Sequence, residues 1–262
     1  MSDPAFRNLY AEHYDNLYRE KDYEAECDLL EEMFHRYCHG QIRKILDLGC
    51  GTGGHVFPLT LRGYEVIGVD QSEEMFLQAN LKSKTISLEK GMHPPVFIKE
   101  NIRSMELGES FDAALMMFAV LSYQQTNEDV LAALHTVRRH LRPGGIFLAD
   151  FWYGPAVIKI GPSERIKVVD LEDGTLIRAA TPRLDISKHI CYVNYTVWHL
   201  VGDQLINHSQ EEHALRFFFP MELTQYLNLA KLEVVGLYPF PNIEDTVDST
   251  TWNVLLCGRA IP

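Results

Sequence analysis

The residues in this chain most able to do chemistry are a carboxylate and a set of closely spaced glycines, in Asp47-Leu48-Gly49-Cys50-Gly51-Thr52-Gly53-Gly54. Glycines permit positive φ and let a backbone approach a ligand closely, and this run leaves an apolar strand to enter a helix. By position it is a nucleotide loop. Through Gly49, Gly51 and Gly54 it also meets the GxGxxG dinucleotide fingerprint, with Asp70 at the usual distance for an acid that binds ribose hydroxyls. Asp47 discriminates between ligands: two residues before the first glycine, its charge repels a pyrophosphate but suits the ammonium of an amino acid. The free N–H groups of the loop then take that amino acid's carboxylate.

Other side chains stand at positions that favour a role. Tyr14 and Tyr18 lie four apart on one helix face, where they either close over a ligand or pack as core aromatics. Tyr123 falls just past the fourth expected strand, at the ligand end of an α/β sheet, and its hydroxyl suits the orientation of a substrate. His213 and Arg216 are three apart on a segment of strand-like alternation, so they face opposite sides and one of them faces the cleft. Arg216 holds a phosphate or carboxylate there, or pairs on the surface with Glu211 or Glu212. His55, at the start of a helix, touches the ligand's amino-acid end or is solvated. The eleven histidines are dispersed, and no spacing suggests a metal site.

The elements that position these residues can be read from periodicity. Apolar and aromatic spacing predicts helix over 5–38, ended by Gly40. Strands at 42–48 and 65–69 flank a helix reaching about residue 62, and a further helix begins after Ser72, a good N-cap followed by two glutamates. Strands at 96–99 and 113–118, a helix at 128–141, the breaker Arg142-Pro143-Gly144-Gly145 and a strand at 146–151 continue the alternation. Such alternation implies an α/β fold with a doubly wound, largely parallel sheet that binds ligands beyond the carboxyl ends of its strands. Over 165–169, 175–180, 189–200 and 204–219, β-branched and aromatic residues alternate between turn signals, as antiparallel strands do. A helix at 220–230 and strands at 232–238 and 252–260 return to the first pattern. The expected organisation is N-terminal cap helices over 1–40, an α/β core over 41–162, an antiparallel β insertion over 163–219 covering the site, and completion of the core over 220–262.

Composition narrows the partners. With 262 residues and 46% hydrophobic content the chain can bury a full core, and a formal charge of −12 without a cationic cluster disfavours nucleic acid. No apolar run approaches the roughly 20 residues that span a bilayer, and the start MSDPAFRNLY has no signal pattern. A cytoplasmic protein with a small-molecule substrate is expected, with no nucleic-acid or membrane partner and a homodimer allowed. The five scattered cysteines suggest reduced thiols.

Five segments, ILDLGCGTGG (45–54), VIGVDQSEEM (66–75), FIKENIRSM (97–105), FDAALMMFAVLSY (111–123) and LRPGG (141–145), together resemble the class I S-adenosylmethionine-dependent methyltransferases. The resemblance spans nearly the whole chain and implies a Rossmann-like methyltransferase sheet with S-adenosyl-L-methionine as cofactor. It implies that Asp47, Gly49, Cys50, Gly51 and Gly53 cradle the methionine end, beneath Tyr14 and Tyr18. Asp70, followed by Gln71, would hold the ribose hydroxyls. Met75 would pack on the adenine, unless it is a helix core residue, and the Asn101 amide oxygen would meet the adenine amino group, with Ile102 beside it. Phe118 would line the methyl-bearing end.

More narrowly, 10–18 with 21–23, and 211–218, resemble N-methyltransferases acting on nucleotide-linked amino sugars; where that group has a glycine–histidine pair after the fourth strand, this chain has Ser122 and Tyr123. The implied reaction is methyl transfer to a sugar amine, with Tyr123, Tyr14 and His213 as catalytic candidates and Tyr123, His213 and Arg216 toward the acceptor. In-line transfer from a sulfonium draws most of its acceleration from positioning and needs no metal. The alternatives are O- or N-methylation of another small metabolite, an NAD-dependent oxidoreductase, and a non-catalytic cofactor-binding protein.

Overall fold

The computed structural model describes residues 5–38 and 40–261. The N-terminal stretch expected to be helical forms three helices, α1 (Asn8–Glu12), α2 (Tyr14–Leu17) and α3 (Tyr23–Tyr37). Asp22 explains the restart, because its carboxylate accepts from the Ala25 N–H at 2.9 Å and caps α3.

The first βα units follow as β1 (Lys44–Leu48), α4 (Val56–Leu61), β2 (Glu65–Asp70), α5 (Glu73–Ser83) and β3 (Val96–Lys99). Ser72 caps α5 by accepting from the Met75 N–H at 3.3 Å. Then come β4 (Phe111–Met116), a single 3-10 turn at Val120–Tyr123, α6 (Asn127–His140), β5 (Leu141–Trp152) and α7 (Gly154–Ile160). The last of these has no counterpart in the sequence expectations. The expected breaker does not precede β5 but lies inside it: Leu141 pairs with Phe111 and the register resumes at Ile146 opposite Ala113, so the Pro-Gly-Gly segment is an excursion within one strand.

Four long strands, β6 (Arg165–Leu171), β7 (Gly174–Asp185), β8 (Ile190–Val201) and β9 (Gln204–Arg216), form a separate antiparallel sheet in that order. Finally α8 (Pro220–Leu229), β10 (Leu232–Pro239) and β11 (Asn253–Ala260) return to the main sheet, whose order is β10-β11-β5-β4-β1-β2-β3. Its strands from β5 to β3 run parallel, while β11 is antiparallel to both β5 and β10. The fold is thus α/β with a parallel-dominated central sheet.

Three packed layers result. One face of the main sheet buries Leu46, Phe147 and Leu256 against α6 and α8, and the other buries Ile45, Leu115 and Leu148 against α3 and α4. The cap helices have their own core: Leu9, Tyr10, Tyr14 and Leu17 pack with Met75 of α5 and with Val169, Leu176 and Val197 of the antiparallel sheet. That shared burial holds the second sheet over the carboxyl ends of β1 and β2. No helix among the described residues is long and apolar enough to cross a membrane.

Candidate active site

The chain order reverses between β1 and β4, so the carboxyl ends of β1, β2, β4 and β5 open a crevice there. The glycine loop leaves β1 with φ of +74° at Gly49, +56° at Gly51 and +91° at Gly53, angles that glycine adopts without strain. A side chain on Gly49 would collide with Val120, whereas the same direction from Gly51 is open. That open approach is the cradle a ligand needs.

Asp47 lies beneath the loop, 1% exposed, with Oδ2 shut from solvent and unpaired. Burial pushes its carboxyl up from 3.8 to about 6, with Asp70 adding to the rise and His55 opposing it. A buried carboxylate oxygen without a partner fits an ammonium supplied by a ligand. Asp70, at the end of β2, accepts from the Gly51 N–H at 2.9 Å and the Ser72 N–H at 2.8 Å, and burial raises its carboxyl despite these bonds. It therefore faces the crevice with a fixed orientation, ready for paired hydroxyls. The Gln71 side chain points to solvent, and only its backbone N–H serves Asp70.

Several expectations are corrected. Four of the loop's N–H groups are already engaged: Gly49 and Cys50 donate to Val69 O, Gly53 to Cys50 O, and Gly51 to Asp70, so a ligand carboxylate can draw only on the rest of the loop. The Asn101 amide oxygen already accepts from the Arg103 N–H at 3.0 Å and its guanidinium at 3.2 Å, so it is not free for an adenine amino group. Met75, 1% exposed, belongs to the cap core; Ile102 belongs to the main core. His55 is not solvated but buried, bonded to Glu26 at 2.7 Å. Cys50 packs its sulfur over Gly68, where no side chain would fit.

Arg216 does not face solvent or pair with Glu211 or Glu212. It is 6% exposed and its Nη2 bonds Asn127 Oδ1 at 2.9 Å, the Tyr226 hydroxyl at 3.0 Å and Glu222. These contacts clamp β9 to α6 and α8.

His213, on the opposite side of β9, is 1% exposed and bonds to Tyr123 at the ligand end of the sheet. Its Nδ1 lies 2.7 Å from the Tyr123 hydroxyl and its Nε2 2.7 Å from Glu211 Oε1. Glu211 accepts only, so the network assigns the imidazole proton to Nε2 and leaves Nδ1 to accept from Tyr123. Burial holds the Tyr123 hydroxyl well above its ordinary range, hence protonated. Phe6, Tyr10 and Tyr195 surround the imidazole at 4.9, 5.3 and 4.8 Å between ring centres.

The cap reaches the crevice through Tyr14 and Tyr18, whose rings are 4.8 Å apart, and Tyr18 meets Phe118 edge-on at 5.0 Å. Phe118 and Ala119 both adopt left-handed φ, +64° and +58°, a strain on the order of 1–3 kcal/mol each. Asp150, at the end of β5, holds this turn by accepting the Ala119 N–H at 3.0 and 3.1 Å, and burial pushes its carboxyl up to about 6. The Lys21 ammonium, bonded to Glu26, lies over the Phe118 ring at 4.7 Å.

Sequence reasoning missed Asp150, Lys21 and Glu211. An isolated acid at the ligand end of an apolar strand was a signal for the first, and the two-residue spacing that puts Glu211 on the face of His213 was one for the third. Nothing in spacing marks Lys21. Among the described residues no group of three or more His, Cys, Asp or Glu is placed to hold a metal ion.

An α/β sheet with this order, a glycine loop over a buried acid and a second acid on β2 define a nucleoside-cofactor enzyme. Residues 45–145 match the family model of a methyltransferase domain. The chain is 30% identical over 89% of its length to a dTDP-3-amino-3,4,6-trideoxy-alpha-D-glucopyranose N,N-dimethyltransferase of Streptomyces venezuelae, covering 94% of that protein. It is 25% identical over 86% of its length to a dTDP-3-amino-3,6-dideoxy-alpha-D-glucopyranose N,N-dimethyltransferase of Streptomyces fradiae, covering 84% of it. The solved structure of an S-adenosylmethionine-dependent methyltransferase from Clostridium acetobutylicum superposes with a TM-score of 0.80 at 20% identity, covering 97% of this chain and 98% of that one. The chain belongs to the S-adenosylmethionine-dependent methyltransferases, and S-adenosylmethionine is its cofactor.

Proposed function

We propose that the protein methylates the amine of a nucleotide-linked amino sugar. The acceptor class is the one named for the two Streptomyces relatives. The observation that carries it here is the Glu211–His213–Tyr123 line of hydrogen bonds ending beside the crevice.

The bound cofactor supplies a sulfonium methyl that the amine lone pair attacks, forming N–C as C–S breaks and its electron pair returns to sulfur. Asp47 would meet the methionine ammonium and Asp70 the ribose hydroxyls. Tyr14, Tyr18 and Phe118 wall the methyl-bearing end and exclude water. An amine must shed a proton to expose its lone pair. Tyr123, whose own proton points at His213 Nδ1, turns its oxygen lone pairs outward to accept an amine N–H. As that proton moves onto Tyr123, the tyrosine proton passes to His213, and Glu211 stabilises the imidazolium. The cap helices α1 to α3 and the antiparallel sheet β6 to β9 form the roof that holds these groups in place.

The test is turnover of purified protein with S-adenosylmethionine and a panel of nucleotide-linked 3- and 4-amino sugars, read by mass spectrometry. Mono- or dimethylated product is expected. Tight S-adenosylhomocysteine binding with no methylation of any nucleotide-linked amine would overturn the acceptor class.

A further inference from the structure

With Arg216 committed to holding α6 and α8 against β9, a different cation stands over the crevice. Arg178 of β7 projects from the inner face of the antiparallel sheet, between the buried Leu176 and Ala180. Its guanidinium lies 5.5 Å from the Tyr18 ring centre and 5.3 Å from that of Tyr195. One amino group donates to the Tyr18 hydroxyl at 3.0 Å. Its Nε is shut from solvent and has no acceptor. Among the described residues no carboxylate lies within ion-pair reach of Arg178, whereas Arg36, Arg62, Arg103, Arg142 and Arg216 each have one. Withdrawing a guanidinium from water without a counter-ion is costly, and a planar fork with free donors matches two oxygens of a phosphate.

Position gives the site its meaning. Tyr195 touches Arg178 on one side and His213 on the other, its ring 4.8 Å from the imidazole. Tyr18 likewise joins Arg178 to Phe118 at the methyl-bearing end. Arg178 and the Tyr123–His213 pair thus flank the same ring, that of Tyr195, one offering positive charge and the other an amine acceptor. Elsewhere around the crevice the fixed charges of Asp47, Asp70, Asp150 and Glu211 repel an anion, and Lys21 is neutralised by Glu26.

We infer that Arg178 is the anchor for a phosphate of the acceptor, setting the distance between that phosphate and the amine presented to Tyr123. This rests on the amino-sugar reading above. A second source of anion is the cofactor's own carboxylate, and the test separates the two.

Wild type, Arg178→Gln and Arg178→Lys are titrated calorimetrically with thymidine diphosphate, with inorganic pyrophosphate and with S-adenosylhomocysteine, and melting temperatures establish that each variant is folded. The expected result is a loss of thymidine diphosphate affinity of about tenfold or more in Arg178→Gln, the worth of one charge-assisted hydrogen bond, with a smaller loss in Arg178→Lys. S-Adenosylhomocysteine affinity should be the same in all three. Equal diphosphate affinity across the variants, or a loss that falls on S-adenosylhomocysteine instead, overturns the anchor. Turnover distinguishes the two readings: methylation of nucleotide-linked amines with the same acceptor KM in Arg178→Gln overturns the anchor alone. Arg178-dependent pyrophosphate binding without methylation of any such amine overturns the acceptor class and keeps the anion site.

Discussion

The Thr52 hydroxyl in the glycine loop donates to Asp15 of α2 at 2.6 Å, and Asp15 in turn accepts from Lys82 of α5 at 2.7 Å. The cap is therefore fastened to the loop it covers. Asp15→Ala leaves the Thr52 hydroxyl, in a residue 2% exposed, without its acceptor, at a cost of about 1–3 kcal/mol. Faster release of S-adenosylhomocysteine is expected, with little change in its association rate, as stopped-flow fluorescence would measure.

Asp47 should act on stability and binding with opposite signs. Its carboxyl sits at about 6 in the folded chain against an ordinary 3.8. Between those values the folded state holds the extra proton, so this group's contribution to stability falls as pH rises through the window and is least favourable above 6. Asp47→Asn should raise the melting temperature of the ligand-free protein at pH 7.5 more than at pH 5. The same substitution should weaken S-adenosylhomocysteine by roughly tenfold, since it removes the counter-charge of the ammonium. In wild type that affinity should decline as pH drops below about 6, and the decline should be flatter in the variant.

Tyr123→Phe deletes the oxygen that receives the amine proton. A fall in kcat/KM of roughly 10²-fold at pH 7 is expected. The deficit should shrink as pH rises toward the pKa of the amine, because a free amine needs no proton acceptor before attack. A pH-independent deficit would assign Tyr123 to packing alone.

Asp150→Ala and Asp150→Asn separate geometry from charge. Asparagine still accepts the Ala119 N–H, so the left-handed pair Phe118-Ala119 keeps its support. Alanine leaves that buried N–H unpaired, and urea denaturation should register a loss of about 1–3 kcal/mol. Asparagine should cost markedly less.

Arg216→Ala removes one member of a buried pair with Glu222, while Asn127 and Tyr226 keep the hydrogen bond between them. A destabilisation of about 3–5 kcal/mol is expected. The acceptor KM of the folded fraction should hold, which a substrate-binding role would not allow.

What the sequence determined by itself is local. The glycine loop, Asp70 at the end of β2, Ser72 as a cap and the period-2 alternation of the insertion are each set by backbone preferences and hydrogen bonds that reach only a few residues. These were enough to read the α/β fold, the cofactor and the two acids that frame the crevice. The tertiary structure alone decided which polar groups were left over. Arg216 and the Asn101 amide oxygen are suited to a ligand, but Glu222 and Arg103 use them up. Arg178 carries no motif, yet no carboxylate among the described residues reaches it, and it stands between two tyrosines from distant segments. Whether a buried charge is spent or available depends on partners that chain folding brings together across more than a hundred positions, as with Arg178 and Tyr18, and no spacing along the sequence records them.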